Sequence, residues 1–136
     1  MTSLFYSNYQ SFTPTLTNFS LGTGSCDCRY TQRYKSVHFS LTFILGTGFS
    51  IGTNPTVAGL PQFRHNQTAS TFMGEAKDMN GDTFQIGTIP NDTTSFILGK
   101  STISGQHLDI EVLTATSPFT FVAGDKITIS GTYETI

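Results

Sequence analysis

Between Val37 and Leu45 the chain reads Val-His-Phe-Ser-Leu-Thr-Phe-Ile-Leu, with apolar residues at every second position and polar ones between them as far as Ile44. A period of two puts all the apolar side chains on one face of an extended strand, so this segment has to lie against a core on one side and face water on the other. Thr17-Asn18-Phe19-Ser20-Leu21 alternates in the same way, and Gly22-Thr23-Gly24 supplies a turn into a further stretch from Cys26 to Tyr30. Together the three segments predict an antiparallel meander.

The rest of the chain continues the pattern. Gly46 to Pro55 carries so many glycines, with Asn54 and Pro55, that it reads as a loop. Shorter strands are expected at Thr56 to Leu60, Thr71 to Lys77, Thr83 to Ile89 and Ser95 to Leu98, with Asn80-Gly81 as a tight turn between the second and third. Leu108, Ile110 and Val112 alternate with Asp109 and Glu111, and Ile127, Ile129 and Tyr133 alternate with Thr128, Ser130 and Thr132. No apolar period of helical length competes with these. The expectation is an all-β fold, a single jelly-roll-like β-sandwich of about 7–10 short antiparallel strands.

A chain of 136 residues has room for one domain, which buries roughly two thirds of its unfolded surface. Residues 1–12 stand apart as an N-terminal arm or first strand, and 13–136 form the sandwich domain. In the opening stretch Phe5, Tyr6, Tyr9 and Phe12 crowd together without clean alternation. Aromatic rings are enriched at interface cores, so these four are the candidate interface residues for a neighbouring subunit.

Charge narrows the function. Asp, Glu, Lys and Arg make up 12% of the chain, about half the usual share, while 23 Thr and 14 Ser keep the surface wet. A net charge of −2, with three Arg and four Lys scattered along the chain, leaves no footprint for nucleic acid or an anionic membrane. No basic stretch followed by an apolar run opens the chain, and no segment approaches membrane-spanning length. Cys26 and Cys28 point the same way on one strand, a poor geometry for a bridge, and read as free thiols.

The candidate chemistries each have a plainer explanation. His107-Leu108-Asp109 could supply two ligands of a facial iron triad, but no histidine follows residue 107, and His38 and His65 lie upstream. An exposed polar strand face of His107, Asp109 and Glu111 accounts for it. Asp78-Met79-Asn80-Gly81-Asp82 has the oxygen spacing of a calcium loop, yet Ile89 stands where the later acid belongs, so a hairpin turn is expected. Cys26-x-Cys28 lacks a second pair for structural zinc. The chain has no Gly-x-Ser-x-Gly nucleophile elbow. Sequons at Asn18, Asn66 and Asn91 follow from the abundance of Thr and Ser. Catalytic, cofactor-binding and metal-binding residues are expected to be absent.

Two stretches carry a resemblance. Thr13-Pro14-Thr15-Leu16-Thr17-Asn18-Phe19-Ser20-Leu21-Gly22-Thr23-Gly24, then Arg29-Tyr30-Thr31 and the strand from Val37 to Leu45-Gly46, resemble the opening of small β-sandwich domains in tailed-bacteriophage tail fibres and minor tail proteins. Ser117-Pro118-Phe119-Thr120-Phe121, Gly124-Asp125-Lys126 and Gly131-Thr132-Tyr133-Glu134 resemble their closing strands, while Pro61 to Gln106 matches only in style.

The resemblance implies a non-enzymatic virion subunit assembled in the host cytoplasm. It would be displayed as a tail-fibre, tail-tip or capsid-decoration component and oligomeric, commonly as a trimer. Its partners would be itself, other virion proteins and host surface glycans. Relatives of this kind are terminal domains of longer proteins, whereas this chain begins at Met1, which leads to the expectation of a stand-alone accessory subunit. The alternative is a carbohydrate-binding module with loop aromatics such as Phe49 and Phe63 as sugar platforms.

Overall fold

The computed structural model describes residues 9–61, 71–104 and 107–135, with the side chains of 103, 104, 107 and 108 outside that set. Ten strands run in chain order: β1 (Gln10–Ser11), β2 (Thr15–Ser20), β3 (Ser25–Arg33), β4 (Ser36–Ile44), β5 (Ser50–Ala58), β6 (Met73–Lys77), β7 (Thr83–Pro90), β8 (Ser95–Ser104), β9 (His107–Val112) and β10 (Lys126–Glu134). All pairings are antiparallel, and no helix occurs among the described residues. Of the aromatic N-terminal segment, Phe5 and Tyr6 lie outside the described residues, while Gln10–Ser11 pair with Tyr30–Arg29 as a short first strand.

The all-β expectation holds, but the layering differs from a pair of separately bonded sheets. One continuous ladder runs β1-β3-β4-β10-β6-β7-β8-β5-β2, with β9 added to β8. The sheet curls so strongly that its two flanks face each other as a half-barrel. Phe19 on β2 meets Phe43 on β4 with ring centroids 5.5 Å apart, and Phe39 on β4 stacks on Phe96 of β8 at 6.3 Å, although neither pair of strands shares hydrogen bonds. The core lies inside this curl.

Strand β4 shows why the alternation is decisive: Val37, Phe39, Leu41 and Phe43 are buried, while Ser36, His38, Ser40 and Thr42 face outward. Its neighbours β3 and β10 pair with it across nine positions each, so the same rule extends sideways. On the convex face Thr42 sits beside Thr128 and Asp27, and Ser40 beside Ser130 and Arg29. The hydroxyl-rich composition is therefore spent on an outer wall, where Thr suits the pleat. Fully burying a side chain such as Phe39 stabilises the fold by about 1.5–3 kcal/mol.

The other flank is less regular. The sequence reading of 46–55 as a loop is corrected, because β5 starts at Ser50 and pairs with β2. The register slips between Thr17 and Phe19, where Asn18 takes φ 57° and its Nδ2 donates to Thr53 O at 2.7 Å. Such a bulge also blunts β2, the terminal strand of the sheet, against further pairing. Pairing of β5 with β8 covers only Thr56 to Ala58, next to Pro55, which has no N–H to donate. From Gly99 onward β8 pairs with β9 instead.

The Gly-x-Gly turn has a steric cause beyond flexibility. The β2–β3 turn and the β4–β5 turn lie backbone to backbone, tied by Thr23 N to Thr47 O at 3.0 Å and Gly46 N to Leu21 O at 2.9 Å. A Cβ on Gly24 would stand 1.9 Å from Ile44 O, and one on Gly46 would stand 2.1 Å from Gly24 N. No side chain fits at either position.

Candidate interaction surfaces

Two places on the surface combine exposed groups with rigid support. The first lies at the seam of the half-barrel, beside β1. Ser11, Phe12, Thr13, Cys26, Asp27 and Cys28 line an open groove of about 230 Å³. Phe12 packs edge-on against Tyr30 with centroids 5.4 Å apart, and Arg29 lies over the ring of Tyr9 at 5.8 Å. Of the four predicted interface residues, Tyr9 is therefore exposed at this seam, while Phe12 is half-buried against the core. The Arg29–Asp27 pair at 3.5 Å is solvent-exposed on both sides and contributes little.

Both cysteines are free thiols, Cys26 half-buried and Cys28 buried. Burial, with Cys26 next to it as the lesser cause, pushes the Cys28 thiol up to about 12. That thiol stays protonated and acts as a small apolar core group.

The second place is the end of the curl where β4 and β6 finish and β7 and β10 begin. Asp125 is fully buried there, and its carboxylate accepts two backbone hydrogen bonds: Oδ1 from Met79 N at 3.1 Å and Oδ2 from Val122 N at 2.7 Å. Its main chain is also fixed, with Leu45 N donating to Asp125 O at 2.9 Å. A buried carboxylate is costly unless its oxygens find donors, and here two backbone amides supply them. One buried side chain thus locks the β6–β7 hairpin to the turn before β10.

The residues so held are apolar and exposed. Met79 is 67% accessible and Val122 49%. Phe84 is also partly exposed and meets Phe119 at 5.0 Å, which in turn meets the buried Phe121 at 4.4 Å. Sequence reasoning missed this rim. Its available sign was Met79 itself, a large apolar residue at the tip of an otherwise polar turn.

The remaining sequence candidates are placed as follows. In the Asp78–Asp82 turn, Asp78 Oδ1 accepts from Asn80 N at 2.9 Å and Asp82 N at 3.0 Å, and Gly81 takes φ 91°, as a hairpin requires. His38 sits on the convex face with Thr132 Oγ1 at 2.7 Å from its Nδ1. The side chain of His107 and all of His65, Phe63 and Asn66 lie outside the described residues. Asn91 Nδ2 donates to Ser95 Oγ at 2.8 Å. Phe49 is half-buried against the core. Among the described residues no group of three or more His, Cys, Asp or Glu side chains is arranged to hold a metal ion, and no helix is long and apolar enough to cross a membrane.

Comparison with protein-family models, with curated proteins and with solved structures finds no match to this chain.

Proposed function

We propose that this chain is a non-enzymatic structural subunit of a tailed-bacteriophage virion, an accessory part of tail fibre, tail tip or capsid surface that oligomerises and docks on the particle. In this reading the curled sheet plays the part of the jelly-roll-like sandwich of the domains it resembles. The supporting observation is where the resembling segments fall. Arg29-Tyr30-Thr31 lies on β3, Val37 to Ile44 lies on β4, and Gly131 to Glu134 lies on β10; these three strands are neighbours in the sheet. The Gly22-Thr23-Gly24 turn is bonded to the loop that follows β4. Parts of two stretches far apart in the chain thus share one wall, while Thr15–Ser20 of the first forms β2 at the far edge of the same sheet.

The test is reconstitution. Particles assembled without this protein are mixed with the purified chain, pelleted and probed for it. Saturable co-sedimentation, with the protein located by antibody labelling on head or tail, is the expected result; no binding overturns the reading.

A carbohydrate-binding module is the second reading, supported by the seam groove, where Phe12 stands beside the hydroxyls of Ser11 and Thr13 and the Asp27 carboxylate. Binding on a glycan array that Phe12→Ala abolishes supports it. An array at background removes it.

A further inference from the structure

Cys26 and Cys28 are the only cysteines of the chain, both are free, and nothing in the reading as a structural subunit uses them. Their register on β3 fixes how they stand. Cys26 lies opposite Phe43 and Cys28 opposite Leu41, both buried, so the two thiols project from the same inward face of one strand. Both line the seam groove, with Phe12 beside them as its apolar residue. The groove exists because the outer edge of β3 is only partly covered. β1 pairs with Tyr30 and Arg29, and Phe12 N donates to Cys28 O at 2.9 Å. Among the described residues no strand continues along that edge beside Ser25 to Asp27.

The spacing decides what the two sulfurs can do together. Residues two apart on a strand are separated by about 6.6 Å with their Cβ atoms pointing the same way, whereas a disulfide needs Cβ atoms about 3.8 Å apart. A direct S–S bond is out of reach while β3 stays paired with β4 at all nine positions. An ion between the sulfurs is not. Two metal–sulfur bonds of about 2.3 Å in line hold the sulfurs roughly 4.6 Å apart. Each thiol meets that distance by leaning about 1 Å toward the other. Cys26 is already among the groups that push the Cys28 thiol up, so the two side chains interact as they stand.

The ligand set selects the ion. Thiolates prefer soft cations, structural zinc takes four ligands, and calcium and magnesium take oxygen. Among the described residues no third His, Cys, Asp or Glu side chain joins the pair in a metal-holding arrangement. A soft ion that is content with two sulfurs in line is what remains.

We propose that Cys26 and Cys28 form a two-coordinate site for a soft monovalent cation of the copper(I) kind. Binding replaces two S–H bonds by two metal–sulfur bonds and releases both protons to solvent, with no change of oxidation state. The pair passes from neutral to a single negative charge. Burial keeps Cys28 protonated in the empty site, but a coordinating ion deprotonates its thiol outright. Cys26, the more accessible thiol, takes the ion first, and Cys28 closes on it from within. A bulky thiol reagent stops at Cys26, whereas a bare ion held there has the second sulfur as its neighbour. The site is independent of the virion role.

The test offers copper(I) to the full reduced chain from a coloured copper(I) chelator, without oxygen and with a reductant that is not a thiol. The wild type should take up one ion per chain and raise its urea midpoint, because an ion bound to the folded state stabilises it by mass action. Cys26→Ser should weaken uptake by about a hundredfold or more, since a single thiol loses the effective concentration that a linked pair supplies. Its midpoint should no longer respond to copper, while its circular dichroism stays that of the wild type, Cys26 being only half-buried. Cys28→Ala should lose uptake to the same extent; where that core substitution unfolds the chain, Cys26→Ser decides alone. No uptake by the wild type overturns the site. Two ions per chain, one lost with each substitution, would mean two separate thiols and overturn it as well. Uptake indifferent to Cys26→Ser has the same consequence, as does a urea midpoint that falls with copper, which marks binding to the unfolded chain.

Discussion

At the end of the curl where β6 and β8 begin, Phe39, Phe72, Phe96 and Tyr133 interlock, with ring centroids between 4.9 and 6.3 Å apart, and all four are buried. At the opposite end the apolar residues Met79 and Val122 are exposed, and what lies buried beneath them is the Asp125 carboxylate. The first end supplies cohesion and shows almost nothing to solvent. The second uses polar bonds to hold apolar groups in exposed positions. Apolar side chains can be densely packed or displayed, and here the two roles are separated along the strand direction.

The sharpest way to break this contrast is at the cohesive end. Phe39→Ala removes the ring that touches Phe72, Phe96 and Tyr133 at once. It should lower stability by about 3–5 kcal/mol in urea unfolding, the range for an aromatic truncated in a packed core. A loss below about 1 kcal/mol would mean that the cluster collapses readily around the gap and is not the main source of cohesion.

At the other end Asp125→Asn keeps the shape but offers one acceptor oxygen where two backbone amides need one each. The expected cost is about 1–3 kcal/mol for one unsatisfied buried donor. Hydrogen exchange should quicken at Met79 or Val122 and stay unchanged at Phe39 and Leu41. Uniform quickening across both ends would show that Asp125 supports the whole fold and not the rim alone.

How much of this was legible in the sequence follows the same division. Val37 to Phe43 could be read because alternation is local: each residue's face is set by its own position in the strand. Nothing in that alternation distinguishes two stacked sheets from one sheet curled on itself, since both bury the same face. Ser50 to Pro55 was hidden because Gly52, Asn54 and Pro55 punctuate a segment held by β2, a partner thirty-odd residues away whose own bulge at Asn18 fits it. The rim was hidden because Met79 and Val122 come from two places in the chain and are held together through Asp125.

A smaller effect separates the two thiols within one strand. Cys28 lies in the core with its thiol pushed up to about 12, whereas Cys26 is only half-buried. An aromatic disulfide reagent in native conditions should modify Cys26 and leave Cys28 untouched until urea unfolds the chain. Equal rates at the two positions would show that the seam opens readily and that β3 is not rigidly paired there.

The smallest expected effect is one of pH, at the turn that leads into the cohesive end. Asp92 Oδ1 accepts from Thr94 N at 2.8 Å, Thr94 Oγ1 at 3.1 Å and Ser95 Oγ at 2.8 Å. These bonds, that from the Thr94 amide foremost, hold its carboxyl below the ordinary value of 3.8. With the folded value depressed, the unfolded chain binds the proton first as acid is added. The stability this carboxylate contributes is therefore whole above 3.8 and disappears as pH falls through the lower folded value. Asp92 is exposed, so solvent screens most of the effect. Urea midpoints of the wild type and Asp92→Asn, measured from neutral pH down to strongly acidic conditions, should differ most at neutral pH and converge in acid. A gap that stays constant across that range would assign the role of Asp92 to the shape of its turn and not to its charge.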